Sequence, residues 1–418
     1  MKDQGFTAAQ GWRYGLLGLP LAFVALPLYV LLPNHYARSY GVPLATLGAV
    51  LLGARLFDAF VDPLIGRWTD RLFARSTGAV LVLGASACLL LATGFSMLFF
   101  PPMRSPGWLL VWASGALALT YAAYSVLSIS HQSWGAMLGG NETQRSRIVA
   151  WREGLGLAGV LLASLLPGLV GLAWTSVALA IALAAGWLAW TRSRHPQVRA
   201  GAGHSKLWQP WGRPAFRRLL AVFMLNGIAS AVPATLVLFF VQDRLQAPSS
   251  MEPAFLASYF ACAALSIPLW LRLVARMGLA RTWLAGMGLA IAIFVWAALL
   301  GPGDTTAFLV VCALSGVALG TDLALPGALL AGLIADAGDR GSSEGAYFGW
   351  WNFATKLNLA LAAGLALPLL GAAGYTPGAR DAVALQALVL AYCVLPCVLK
   401  LLAAGALYFT LIRAKGLP

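Results

Sequence analysis

The sequence predicts an all-α polytopic membrane protein, with twelve transmembrane helices in two six-helix bundles. Three observations predict it. First, 60% of the 418 residues are hydrophobic, 10% are charged, and the mean hydropathy is +0.79. A water-soluble domain carries about 25% charged residues, so this chain has too little polar surface to wet a globule. Second, apolar runs of about 20 residues, the length a helix needs to cross the hydrocarbon core, recur along the whole chain. Third, nearly all charges fall in short gaps between those runs. Helices satisfy every backbone hydrogen bond internally, which hydrocarbon demands, and the runs are too long for barrel strands.

Read in order, the runs are 14–33, 43–66, 77–99, 107–130, 148–171, 174–191, 218–241, 253–275, 280–300, 306–333, 345–371 and 382–411. Met1–Trp12 is polar and the first run is long enough to span, so no cleavable leader is expected and the first helix inserts itself. The fifth and sixth runs are separated by so short a connector that their boundary is the least marked. The 45 glycines and 16 tryptophans suit a membrane bundle, where small residues let helices approach and rings sit at interfaces. All five cysteines lie inside apolar runs, so no disulfide is expected.

Orientation follows from the basic residues in the gaps. With the N-terminus inside, 21 Lys and Arg face the cytoplasm, and four (Arg38, Arg104, Arg244 and Arg380) face outward. Lys2 and Lys415 belong to the inside set; Arg55, Lys356 and Lys400 lie within runs. Both termini are therefore expected in the cytoplasm of a bacterial inner membrane. The net charge of +14 is spread over these gaps and forms no patch beside a soluble domain, which excludes a nucleic-acid reading. The longest polar gap divides the runs six and six. It gives an N-terminal bundle 1–191, a basic linker 192–217 and a C-terminal bundle 218–418.

An ionisable side chain inside a span costs at least about 3 kcal/mol, so the few present point to function. The second run carries Arg55, Asp58 and Asp62 on one helix face, followed by Pro63. Two carboxylates against one guanidinium leave an excess negative charge, to be met by a cation or a proton; the alternative is a structural ion-pair lock. Pro63 has no N–H, which leaves the Ala59 carbonyl without its helical partner. Lys356, with Asn352 one turn before it, requires a carboxylate partner, either one of these aspartates or Asp322 in the tenth run. Tyr121, Tyr124, Ser125, Ser128, His131 and Gln132 form a polar stripe in the fourth run, which faces a cavity or a neighbouring helix. Asn226, Ser230 and Pro233 share a face of the seventh, a candidate lining of the substrate cavity.

Arg152 and Glu153 open the fifth run as a gate pair or as interfacial charges. Trp350 and Trp351 either anchor at the interface or stack a ring-bearing solute. Cys393 and Cys397 read as core packing, and Lys400 has no evident partner in the sequence. Gly341-Ser-Ser-Glu-Gly345 fits a hydrolase nucleophile pattern but lacks the preceding strand that the pattern needs, so no enzyme is expected. After the second run, Gly66-Arg-Trp-Thr-Asp70-Arg71 places a carboxylate where it can meet the positive end of a neighbouring helix.

That last segment and the six-plus-six layout resemble the major facilitator transporters, whose sites lie between halves near the midplane. The run Arg55-Leu-Phe-Asp58-Ala-Phe-Val61-Asp62-Pro63-Leu-Ile-Gly66 is similar to the second-helix signature of one branch, the glycoside–pentoside–hexuronide cation symporters, the melibiose-carrier group. So are Gln144-Arg-Ser-Arg-Ile-Val-Ala-Trp-Arg152, Ala331-Gly-Leu-Ile-Ala-Asp336, Glu344-Gly-Ala-Tyr-Phe, Ala354-Thr-Lys356 and Gly374-Tyr-Thr-Pro. The resemblance implies that Asp58 and Asp62 hold the coupling cation, that Lys356 sits beside them, and that Arg152 belongs to the solute site. Val61 and Ala122 replace an Asn and a Thr that serve sodium in melibiose carriers, so the resemblance implies a proton. Leu19-Pro-Leu-Ala22 and Tyr124-Ser125 lack the acids that hold galactosides there. The chain also resembles a neighbouring bacterial branch of copper and riboflavin importers, without the copper members' Met-x-x-x-Met and His-x-x-x-Met pairs; Met224 stands alone. The expectation is a proton-coupled symporter of a small organic solute, sugar-like by family. A flavin or a metal is the alternative. No cofactor is expected, and the chain is expected to be monomeric in the bilayer.

Overall fold

The structure, a computed structural model, describes residues 6–103, 105–199 and 206–413. Lys2, Arg104, Lys415 and residues 200–205 of the basic gap lie outside the described residues. Among the described residues all regular elements are helical and there is no strand.

Helix α1 covers 8–40 in consecutive pieces, Ala8–Gly15, Gly18–Leu26, Pro27–Leu31 and Leu32–Tyr40. Thr7 starts it with a reciprocal cap: its Oγ1 accepts from Gln10 N at 3.3 Å, and its own N–H donates to Gln10 Oε1 at 3.2 Å. Proline explains the widened turn Pro27–Leu31, because Pro27 cannot donate within the ladder. Then follow α2 (Leu44–Arg75), α3 (Thr77–Phe99) and α4 (Pro106–Met137). Ser76 joins α2 to α3, its Oγ accepting from Ala79 N at 3.0 Å.

The segment Glu142–Thr191 is 50 residues of helix, about 75 Å at the α-helical rise and more than twice a hydrocarbon core. It breaks at Gly171, whose φ of 78° and ψ of 170° only glycine adopts readily. The break divides it into α5 (142–170) and α6 (172–191), where the sequence had the shortest connector.

The remaining helices are α7 (Pro214–Phe239), α8 (Glu252–Met277), α9 (Leu279–Ala297), α10 (Thr305–Asp336), α11 (Glu344–Ala372) and α12 (382–412), the last in four pieces. Among the described residues nine segments are long and apolar enough to cross a membrane. Counting Glu142–Thr191 twice and adding α2 and α11, at 32 and 29 residues, gives the twelve read from the sequence.

Packing groups the chain into two units: Met1–Gly212 with Ala331–Phe353, and Arg213–Leu330 with Ala354–Pro418. In the first, α1 lies along α5, α2 along α4, and α3 against α4 and the α5–α6 segment. In the second, α12 is flanked by α7 and α9, and Trp270 of α8 donates to Val317 O of α10 at 2.7 Å. The gap expected to be plain linker holds a short turn, Pro210–Gly212. Next to it Trp350 donates to Leu207 O at 2.9 Å and packs its ring against Trp208 at 4.9 Å, the two tilted by 40°, so this tryptophan is engaged with the chain itself.

Candidate functional site

Helix α2 explains how two acids come to be buried in a membrane span. Leu52, Leu56, Phe57, Phe60, Leu64 and Trp68 form its exposed apolar face. The opposite face is buried, and it carries Asp58 at 6% exposure and Asp62 at 0%. The carboxylates thus point away from that exposed apolar side, one helical turn apart. Ser125 of α4 donates its hydroxyl to Asp58 Oδ1 at 2.8 Å, which directly joins the polar stripe to the acids. Arg55, half-buried on the preceding turn, lies 4.0 Å from the centre of the Tyr29 ring. Tyr121 is buried at 4% exposure on the same helix as Ser125.

Further along α4, Gln132 donates to Ser128 Oγ at 2.7 Å and to Asn352 Oδ1 at 3.2 Å. Tyr124 is half-buried and Trp351 is buried at 5% exposure. Arg152 and Glu153 bond to each other, Arg152 Nε donating to Glu153 Oε1 at 2.9 Å with Nη2 on the same oxygen. His131 is placed differently from its neighbours on the stripe. It is fully buried between helices, with Nε2 2.8 Å from Tyr14 O, its ring stacked on Tyr14 at 4.3 Å and edge-on to Trp190 at 5.5 Å.

The first unit also contains the contact expected of Asp70. Its two oxygens accept from Gly345 N at 2.6 Å and Ala346 N at 2.9 Å, which caps the start of α11. Backbones meet closely here: a Cβ on Gly66 would stand 2.0 Å from Gly345 O. Asp70→Ala is expected to lower stability by about 1–2 kcal/mol, the usual cost of losing a helix cap, read as a lower midpoint of thermal unfolding in detergent.

Beside it Glu344, the first residue of α11, is fully buried and accepts from Gly341 N at 2.7 Å.

In the second unit the structure assembles a cluster that the sequence had left in pieces. Lys400 Nζ donates to Asn226 Oδ1 at 2.7 Å and pairs with Asp322 Oδ2 at 3.1 Å. Asp322 also accepts from Asn226 Nδ2 at 2.9 Å, Trp283 Nε1 at 2.8 Å and Ser230 Oγ at 3.3 Å. Asp322, weighed in the sequence as a partner for Lys356, is thus Lys400's partner. Lys356 itself is half-buried on α11, in the same unit. The signal for the pair was present: one cation and one carboxylate stranded mid-run in the same half, each costly alone. Cys393 belongs to the apolar core of this unit, and Cys397 is buried nearby on the same helix.

Comparison with known proteins bears on what such a chain does. The family described as MFS/sugar transport protein matches residues 13–414. The symporter YjmB of Bacillus subtilis (strain 168) is 22% identical over 95% of this chain and 91% of its own length. A bacterial homologue of the iron transporter ferroportin, in an outward-facing state, superposes with a TM-score of 0.74 at 16% identity, over 98% of this chain and 100% of its own. The Escherichia coli fucose:proton symporter FucP does so with a TM-score of 0.67 at 14% identity, over 93% and 98%. These structural likenesses establish a shared transporter fold.

Proposed function

We propose that this chain, which belongs to the MFS/sugar transport protein family and is therefore a multi-pass membrane transporter, is a proton-coupled symporter of a small organic solute. The observation that carries the proposal is the pair Asp58 and Asp62, buried on the inward face of α2 with Ser125 bonded to the first. Carboxylates buried in a membrane span favour taking up a proton or a cation. Val61 and Ala122 stand where the sodium-coupled melibiose carriers that this chain resembles have an Asn and a Thr, which favours the proton over sodium.

The solute path in this reading follows Tyr121, Tyr124, Ser125 and Ser128 on α4, then Asn352 and Trp351 on α11. These groups suit a solute with hydroxyls and a flat apolar face, such as a sugar or glycoside. Arg152 tethers Glu153 at the edge of that path. His131 has a packing role, since its ring is taken up by Tyr14 and Trp190. Asn226 orients the Lys400–Asp322 pair. By the family resemblance, Lys356 takes part in the coupling. Residues 1–191 and 218–418 act as the two moving bundles, joined by 192–217. The chain works as a monomer in a bacterial inner membrane with both termini in the cytoplasm.

Alternating access then runs as follows. A proton neutralises the Asp58–Asp62 pair, the solute binds, the neutral bundle rearranges, and both leave on the other side. A thermal-shift screen of purified protein against glycosides and monosaccharides, flavins and copper salts, at two pH values with and without sodium, tests the reading. The expected result is stabilisation by a hydroxylated organic solute, stronger at the lower pH and unaffected by sodium. Stabilisation by copper alone, or only in sodium, contradicts it.

A further inference from the structure

The second unit contains a cavity of about 260 Å³ that the proposed symport does not use. Its wall runs from Glu252, the first residue of α8, to Asp322 and Lys400, which lie near the middles of α10 and α12. Five rings line it: Phe255, Tyr259, Phe260, Phe294 and Tyr392. We infer that this cavity is a binding site for a small protonated amine with an apolar or aromatic body.

Charge is the first argument. The lining side chains include two carboxylates, Glu252 and Asp322, and one ammonium, Lys400. Lys400 is committed to Asp322 and Asn226, and Asp322 is surrounded by Asn226, Trp283, Ser230 and Lys400. The charge left over belongs to half-buried Glu252, whose Oε1 accepts from Gln242 at 2.8 Å. An entering anion meets that carboxylate and finds the ammonium already engaged.

The rings are the second argument. Aromatic faces carry negative potential and attract cations, so a wall with five rings favours an ammonium over a neutral or anionic group. The third is Ser315, a residue of the cavity wall whose Oγ is buried and, among the described residues, has no hydrogen-bond partner. A serine inside a helix commonly bonds back to its own helix, and a buried polar atom is costly to leave unmatched. A turn of χ1 brings this hydroxyl to the cavity, where an amine N–H supplies the missing donor. Sugars are poorly served here, because the remaining lining is apolar and Ser230 is already turned to Asp322.

Three probes of one shape test this: phenethylammonium, 2-phenylethanol and phenylacetate, each titrated calorimetrically into purified protein in detergent. Phenethylammonium should bind at least about tenfold more tightly than the alcohol, with phenylacetate weakest. Glu252→Gln should weaken the amine by about tenfold and leave the alcohol unchanged, with an unaltered melting curve showing that the fold is intact. Ser315→Ala should weaken the amine without loss of fold. Asp62→Asn should leave amine binding intact, so the site and the symport reading fail separately. Equal affinity for all three probes, or amine binding indifferent to both Glu252→Gln and Ser315→Ala, overturns the inference.

Discussion

Asp62→Asn is expected to abolish accumulation of the solute against its gradient while leaving downhill movement measurable. Asparagine keeps the size and planarity of the side chain at a position with 0% exposure, so the packing of α2 is preserved. What disappears is the ability to alternate between a charged and a neutral state, and on the proposed mechanism that alternation ties the solute to the proton. Counterflow, in which labelled solute exchanges for unlabelled solute without a net driving force, should survive in the variant. Asp58→Asn should be milder in its effect on stability, because an amide oxygen can still accept from Ser125 Oγ, now at 2.8 Å from the carboxylate. It should equally uncouple accumulation if both acids share the proton. Accumulation at the wild-type level in both variants contradicts the assignment of this pair.

The second large effect concerns stability. Lys400→Met leaves Asp322 without its ammonium in a site where Lys400 is 4% exposed. Removing one partner of a buried ion pair costs about 3–5 kcal/mol, because the other charge stays behind unpaired. The variant should melt at a clearly lower temperature or express poorly. Adding Asp322→Asn should recover most of the loss, since Trp283 and Ser230 can still donate to an amide oxygen and no buried charge remains. If the double variant is as unstable as Lys400→Met alone, the pair matters through packing and not through charge.

Much of this fold was legible because hydrocarbon imposes a length. Run 77–99 coincides with α3, and the predicted 253–275 and 345–371 fall just inside α8 and α11. The first span was read too short. Its helical pieces extend from 8 to 40, with polar ends at Gln10 and His35 that a hydropathy criterion cuts away. The acids of α2 were legible for a related reason: a carboxylate in a run has few uses, and its spacing gives its face. The Asp70 contact was equally legible, because an acid after a glycine at the end of a span has a helix start within reach.

Other features depend on how one helix is rotated against another, and a single sequence does not encode that locally. The surroundings of His131 are set by Tyr14 and Trp190, on helices distant in sequence. Lys400 and Asp322 lie 78 residues apart, on α12 and α10, and each was visible alone as a costly charge. Their pairing follows from helix rotation, as does the cavity beside them.

The central claim is that the proton drives the solute. The most direct measurement uses the solute identified by the stability screen. Uptake is followed into proteoliposomes of purified protein under an imposed pH gradient, acid outside, with and without a protonophore, and separately under a sodium gradient at equal pH. The account predicts accumulation with the pH gradient, its collapse with protonophore, and none with sodium. Accumulation that persists in protonophore, or that sodium drives at equal pH, contradicts it.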